Sequence, residues 1–166
     1  ALKICASKIK RNRADRIRCV ATEACRQAEN RPNFEMRVRT ELGLELETIS
    51  CEEEARLALE GCSPLLDQRR PNGLMFDIGG GSTECIIGEG YECVQADSLY
   101  MGCVSFTNRF FEDGVISAER MEEAKIAAEL ELHPVERGYR KLGWREAVGA
   151  SGTIKAIAKI LEETGW

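Results

Sequence analysis

The residues best suited to chemistry lie together in Asp77-Ile78-Gly79-Gly80-Gly81-Ser82-Thr83-Glu84, where three glycines and two hydroxyls are bracketed by carboxylates. Apolar runs on either side, at 74–76 and 85–87, predict a tight hairpin between two strands. Backbone N–H groups in such a turn can converge on a phosphate oxygen, which makes Gly79, Gly80, Gly81, Ser82 and Thr83 candidate phosphate ligands. Asp77 and Glu84 stand where a hard cation such as Mg²⁺ takes carboxylate oxygens, directly or through water. Two familiar phosphate loops are excluded. A P-loop needs a lysine after its glycines, and the dinucleotide fingerprint needs a glycine where this chain has Glu84. Both also need a helix to follow. A hairpin that merely turns the chain is the plain alternative.

Two further stretches carry polar groups in suggestive places. Ser50 with Glu53 three residues later is a capping box, so a helix starts there with Glu52, Glu53 and Glu54 in its first turn. Acidic residues suit a helix N-terminus in any case. Glu54, one position past the box, can instead face a cleft, and spacing alone leaves the two readings level. The second Gly/Ser/Thr turn, 149–153, opens a helix whose amides and dipole favour an anion, with Ser151 and Gly152 as candidates. A plain strand-to-helix turn explains it equally well.

These residues need elements to position them. Leu2, Cys5 and Ile9 recur at helical spacing with no cap before them, which reads as the end of a helix begun upstream. A short strand at 17–21, a helix capped by Thr22 and running to 29, a helix from 30 to about 42 ended by Gly43, and a strand at 44–49 follow. Residues 63–73 read as a connector, with Pro64, Pro71 and Asn72-Gly73. Beyond it come three meandering strands at 74–78, 83–87 and 91–99, then an apolar stretch at 101–111 that turns under the sheet. Ser117 caps a helix from 118 to about 142 that should kink at Pro134. Its apolar stripe is Met121, Ala124, Ala128, Leu132, Val135, Tyr139 and Leu142. A brief strand at 147–148 and a helix at 154–163 complete the order strand, strand, strand, helix, strand, helix.

Composition narrows the class. An apolar fraction of 43% and a charged fraction of 31% suit a globular domain. No run reaches the roughly 18 apolar residues of a membrane span, and no signal-peptide core opens the chain, so no membrane role and a cytoplasmic location are expected. The eight cysteines are irregularly spaced without a C-x-x-C pair, which predicts reduced residues, mostly within apolar runs. With His133 as the lone histidine, a Cys/His zinc site is poorly supported. Residues 1–42 carry 11 Lys/Arg against 5 Asp/Glu, whereas 43–166 carry 12 against 23. No aromatic residues interleave the basic block of Lys8, Lys10, Arg11, Arg13, Arg16 and Arg18, so a solvated face is expected and nucleic acid is not.

The order of elements and the motifs together resemble a known family. Residues 77–84, Met101-Gly102-Cys103-Val104, Gly143-Trp144 and 149–156 resemble signatures of the exopolyphosphatase / guanosine pentaphosphate phosphatase (Ppx/GppA) family, as do 21–26 and 49–56 upstream. The resemblance implies an α/β, ribonuclease-H-like fold of the actin, Hsp70 and sugar-kinase type, with 1–70 closing a first lobe and 71–166 opening a second. It implies Mg²⁺-dependent hydrolysis of a terminal phosphoanhydride, with polyphosphate or guanosine pentaphosphate as substrate. By the same resemblance Glu54 is the base that activates water, 79–83 the second phosphate loop, and Asp77 and Glu84 the metal-proximal carboxylates. Arg26 is then a cleft arginine. Cys51 departs from the family's usual glycine. A first phosphate loop is expected upstream and the rest of the second lobe downstream, so the chain by itself is expected to be inactive. Oligomeric state stays open, a homodimer of the full-length parent being one arrangement. The alternative reading is a non-catalytic nucleotide- or phosphate-sensing module of the same fold.

Overall fold

A computed structural model describes residues 1–62, 64 and 72–166. Two compact units emerge, Ala1–Ser50 and Cys51–Trp166. The boundary expected at 70/71 lies outside the described residues, as does the connector apart from Pro64, Asn72 and Gly73.

In the first unit, helix α1 (Leu2–Asn12) precedes strand β1 (Cys19–Ala21), helices α2 (Glu23–Gln27) and α3 (Arg31–Leu42), and strand β2 (Leu46–Thr48). β1 and β2 pair in parallel, Cys19 opposite Leu46 and Ala21 opposite Thr48. Gly43 ends α3 at φ +66°, a left-handed conformation that glycine adopts without steric cost. Thr22 precedes α2 but makes no side-chain cap bond, and α2 is only five residues long, shorter than the sequence pattern suggests.

The second unit is built on one sheet. Helix α4 (Cys51–Cys62) leads to strands β3 (Gly73–Ile78), β4 (Thr83–Glu89) and β5 (Glu92–Leu99), helices α5 (Cys103–Phe110) and α6 (Ala118–Leu142), strand β6 (Glu146–Ala150) and helix α7 (Ser151–Thr164). The strand order is β5-β4-β3-β6, with β3 antiparallel to β4 and parallel to β6. This is the expected ribonuclease-H-like half-unit.

Strand alternation sorts the two faces of the sheet. Met75 and Ile86 are cross-strand partners and pack against Ala55, Leu59 and Cys62 of α4. Gly88 is needed there, because a Cβ on it would lie 2.6 Å from Leu59 Cδ1. α4, read from sequence as the close of a first lobe, therefore shares the second unit's core. The opposite face carries Leu74, Phe76 and Cys85, and α6 docks on it through Tyr139, whose hydroxyl donates to the Cys85 carbonyl.

Three expectations need correction. Within the apolar stretch 101–111, expected to turn under the sheet, residues 103–110 form a helix. The α6 stripe is only partly buried: Ala124 and Tyr139 are covered and Ala128 and Val135 half-buried, whereas Met121, Leu132 and Leu142 stay exposed, and Ala127, outside the stripe, is buried. A 25-residue helix is about 37 Å long, more than the roughly 27 Å of the longest strand, so it overruns the sheet. All eight cysteines are free, as expected, but only Cys62 is buried. Cys5 and Cys103 sit on exposed helix faces, and Cys93 on the outer strand β5. Among the described residues no helix is long and apolar enough to cross a membrane.

Candidate functional site

The β3–β4 turn is shaped by where its carbonyl groups go. Gly79 O accepts from Cys103 N at 3.0 Å, and Gly80 O accepts from Val104 N at 2.9 Å and Ser105 N at 3.0 Å. Gly81 O accepts from Ser105 Oγ at 3.2 Å, and Ser82 O accepts from Gly79 N at 2.9 Å. All four carbonyls are thus engaged, three of them by the first turn of α5. A trans peptide points its N–H opposite to its C=O. The amides of Gly80, Gly81 and Ser82 therefore point away from α5, and none donates to a protein acceptor among the described residues. Three successive outward amides make an anion-binding concavity.

That geometry requires close backbone approach. A Cβ on Gly102 would lie 2.4 Å from Gly80 O, so the residue before α5 has no room for a side chain. A Cβ on Gly79 would meet Ser82 O at 3.2 Å, whereas Gly80 is exposed.

The hydroxyls expected on phosphate are turned inward instead. Ser82 is 3% exposed and donates to Glu84 Oε1 at 2.8 Å; Thr83 is 5% exposed and donates to the Met101 carbonyl. The groups this loop turns outward are main-chain amides.

The carboxylates lie on the strands flanking the loop and on α4. Asp77 and Glu84 are cross-strand partners on the α4 face of the sheet, two residues from Met75 and Ile86 respectively. Glu54 is half-buried in the first turn of α4, one residue before the core residue Ala55. Glu84 is 2% exposed, and its Oε1 accepts from both Ser82 and Ser98, at 2.8 and 2.9 Å. Burial pushes its carboxyl above the usual range; the two hydroxyl donors oppose this, and the charges of Glu54 and Asp77 reinforce it. Glu54, Asp77 and Glu84 therefore share one electrostatic neighbourhood.

The second turn lies beside the first at the carboxyl end of the sheet, with Ala150 of β6 opposite Asp77 of β3. Ser151 sits at φ +71° and donates its hydroxyl to the Ile78 carbonyl at 2.7 Å, tying the two turns together. Non-glycine residues held left-handed store strain and cluster at functional sites. Gly152 is exposed, with open space where a Cβ would be. Arg26 belongs to the first unit, in α2, where it pairs with Glu23 at 3.0 Å and donates to the Ile49 carbonyl at 3.0 Å.

Ser98 and Ser105 were not singled out from sequence. The signal for Ser98 was available: once the meander is predicted, register places it opposite Glu84. Ser105 carried none, because its role depends on the unrecognised α5. Among the described residues no three or more His, Cys, Asp or Glu side chains gather into a metal cage. Asp77 and Glu84 offer hard oxygen donors of the kind Mg²⁺ accepts as one or two carboxylates beside substrate phosphates.

The sheet is a ribonuclease-H-like half-unit whose first hairpin turns three amides outward, between the strands that carry Asp77 and Glu84. The chain belongs to the Ppx/GppA phosphatase family, whose model matches residues 1–165. It is 43% identical over 152 residues to a guanosine-5'-triphosphate,3'-diphosphate pyrophosphatase of Aeromonas hydrophila, covering 92% of this chain and 30% of that protein. A solved structure of the Aquifex aeolicus PPX-GPPA enzyme superposes with a TM-score of 0.73 at 33% identity, over 98% of this chain and 52% of that one. An exopolyphosphatase structure from Cytophaga hutchinsonii reaches a TM-score of 0.88 at 23% identity, over 98% and 53%, and shares the fold. The chain thus spans under a third of the curated relatives' length and about half of the solved ones.

Proposed function

We propose that this chain is part of a phosphohydrolase that removes the terminal phosphate of guanosine pentaphosphate, and of polyphosphate, which presents the same anhydride. The supporting observation is the set of three outward amides at Gly80, Gly81 and Ser82 beside the Glu54, Asp77 and Glu84 carboxylates. The amides hold the terminal phosphate oxygens, and Ser151 and Gly152 supply the neighbouring turn. Glu54 takes a proton from water as the water oxygen attacks phosphorus and the bridging P–O bond breaks. Mg²⁺, held through Asp77 and Glu84, would neutralise phosphate oxygens. Phosphoryl transfer asks chiefly for such positioning and charge balance. The guanosine nucleotide is named first because the 43%-identical relative carries that name. Free cysteines throughout suit a reducing compartment, and we place the parent in the cytoplasm.

The test is phosphate release from both substrates, with Mg²⁺, by the full-length parent, its Glu54→Gln variant and the isolated chain. Turnover by the parent alone, lowered about 10²- to 10⁴-fold by Glu54→Gln with binding retained, is expected for a general base. Full activity in the variant would remove Glu54 from that role. Strong turnover by the isolated chain would refute its dependence on the rest of the parent. Binding without turnover in wild-type parent would favour a sensing module.

A further inference from the structure

The phosphate loop is held from behind by a single turn of helix, and one side chain in that turn does two jobs. Ser105 Oγ accepts the Gly102 N–H at 3.0 Å, closing the start of α5 where no side chain caps it. The same oxygen lies 3.2 Å from Gly81 O and 3.1 Å from Gly102 O, so its one proton is shared between two carbonyls. Gly81 O is the one carbonyl of the three facing α5 that receives a side-chain donor; Gly79 O and Gly80 O receive backbone N–H groups. Because the Gly81–Ser82 peptide is planar and trans, fixing its C=O fixes the direction of the Ser82 N–H.

We infer that Ser105 is a positioning residue, which sets the third amide of the anion-binding loop by anchoring the Gly81 carbonyl. This rests on reading the loop as a phosphate site and adds to it a residue that touches no substrate. Gly79 and Gly80 are held by the main chain of α5, so side-chain changes at 105 leave them in place. The Gly81–Ser82 peptide is the member of the loop that depends on residue identity. Removing the hydroxyl frees that peptide to rotate and adds its ordering to the cost of binding an anion.

The experiment is calorimetric titration of the full 166-residue chain with tripolyphosphate, for wild type, Ser105→Ala, Ser105→Thr and Thr107→Ala, each well below its melting temperature. Thr107 is the control: its hydroxyl donates to Cys103 O at 2.7 Å on the exposed side of α5 and makes no bond to the loop. The expected result is affinity about 3- to 10-fold weaker for Ser105→Ala, the range of one hydrogen bond, recovered in Ser105→Thr and unchanged in Thr107→Ala. Equal affinity for wild type and Ser105→Ala would overturn the inference while leaving the phosphate reading intact. Equal weakening in Thr107→Ala would also overturn it, by showing a general loosening of α5. Absence of binding by wild type would overturn the phosphate reading and this inference with it.

Discussion

Two glycine–serine turns lie side by side at the carboxyl end of the same sheet, and they are held in different ways. Residues 79–82 have every carbonyl engaged, which leaves three amides facing outward. At 149–152 one hydroxyl, that of Ser151, reaches across to the Ile78 carbonyl, and the residue bearing it is left-handed. The first turn leaves amides open for the phosphate proposed above; the second also ties its helix to the strand end from which the first departs. Similar composition thus hides different hydrogen bonding.

The largest expected effect separates two glycines. At Gly102 a methyl group would lie 2.4 Å from Gly80 O, backbone that cannot yield without moving the loop. Gly102→Ala should cost about 1–3 kcal/mol by overpacking and abolish tripolyphosphate binding, read by denaturant melts and calorimetry. A variant with wild-type stability and affinity would show that the α5 seat is not required.

How much of this was legible beforehand depends on what each feature rests on. The hairpin, the meander and α6 were readable because apolar runs, the glycine-rich turns and the Ser117 and Gly143 ends are local signals; Arg120 N does donate to Ser117 Oγ at 3.2 Å. α5 was not, because its N-cap is a glycine and Val104, Phe106 and Phe110 read as an undifferentiated apolar stretch. The pairing of Asp77 with Glu84 follows from strand register, but the inward turn of Ser82 and Thr83 does not. A hydroxyl beside a glycine loop carries no mark of whether it meets ligand or Glu84.

Of intermediate size is the effect at the second turn. Ser151→Ala loses the bond to Ile78 O while keeping the left-handed strain, and should cost about 1 kcal/mol. Ser151→Gly loses the same bond but relieves the strain, so it should melt closer to wild type. The reverse order would mean that Ser151 is not strained.

The far side of the sheet supplies a pH control. Burial pushes the Cys85 thiol from 9.0 up to about 11. A group whose folded value is raised contributes stability below its unfolded value and loses it as pH climbs toward the folded one. Melting temperature should therefore decline between about pH 9 and 11, and less steeply in Cys85→Ala, with anion affinity at pH 7.5 unchanged. An identical alkaline slope in the variant would count against a raised Cys85 thiol. The smallest effect belongs to Gly152→Ala, which fills open space and should stay within about 0.5 kcal/mol of wild type.

The most direct measurement follows backbone amide resonances of the ¹⁵N-labelled chain as tripolyphosphate is added. Gly80, Gly81 and Ser82 should shift together along one saturating curve. Gly79, whose N–H is already bonded to Ser82 O, should move far less. Stationary resonances at 80–82, while amides elsewhere saturate, would contradict the assignment of this loop as the phosphate site.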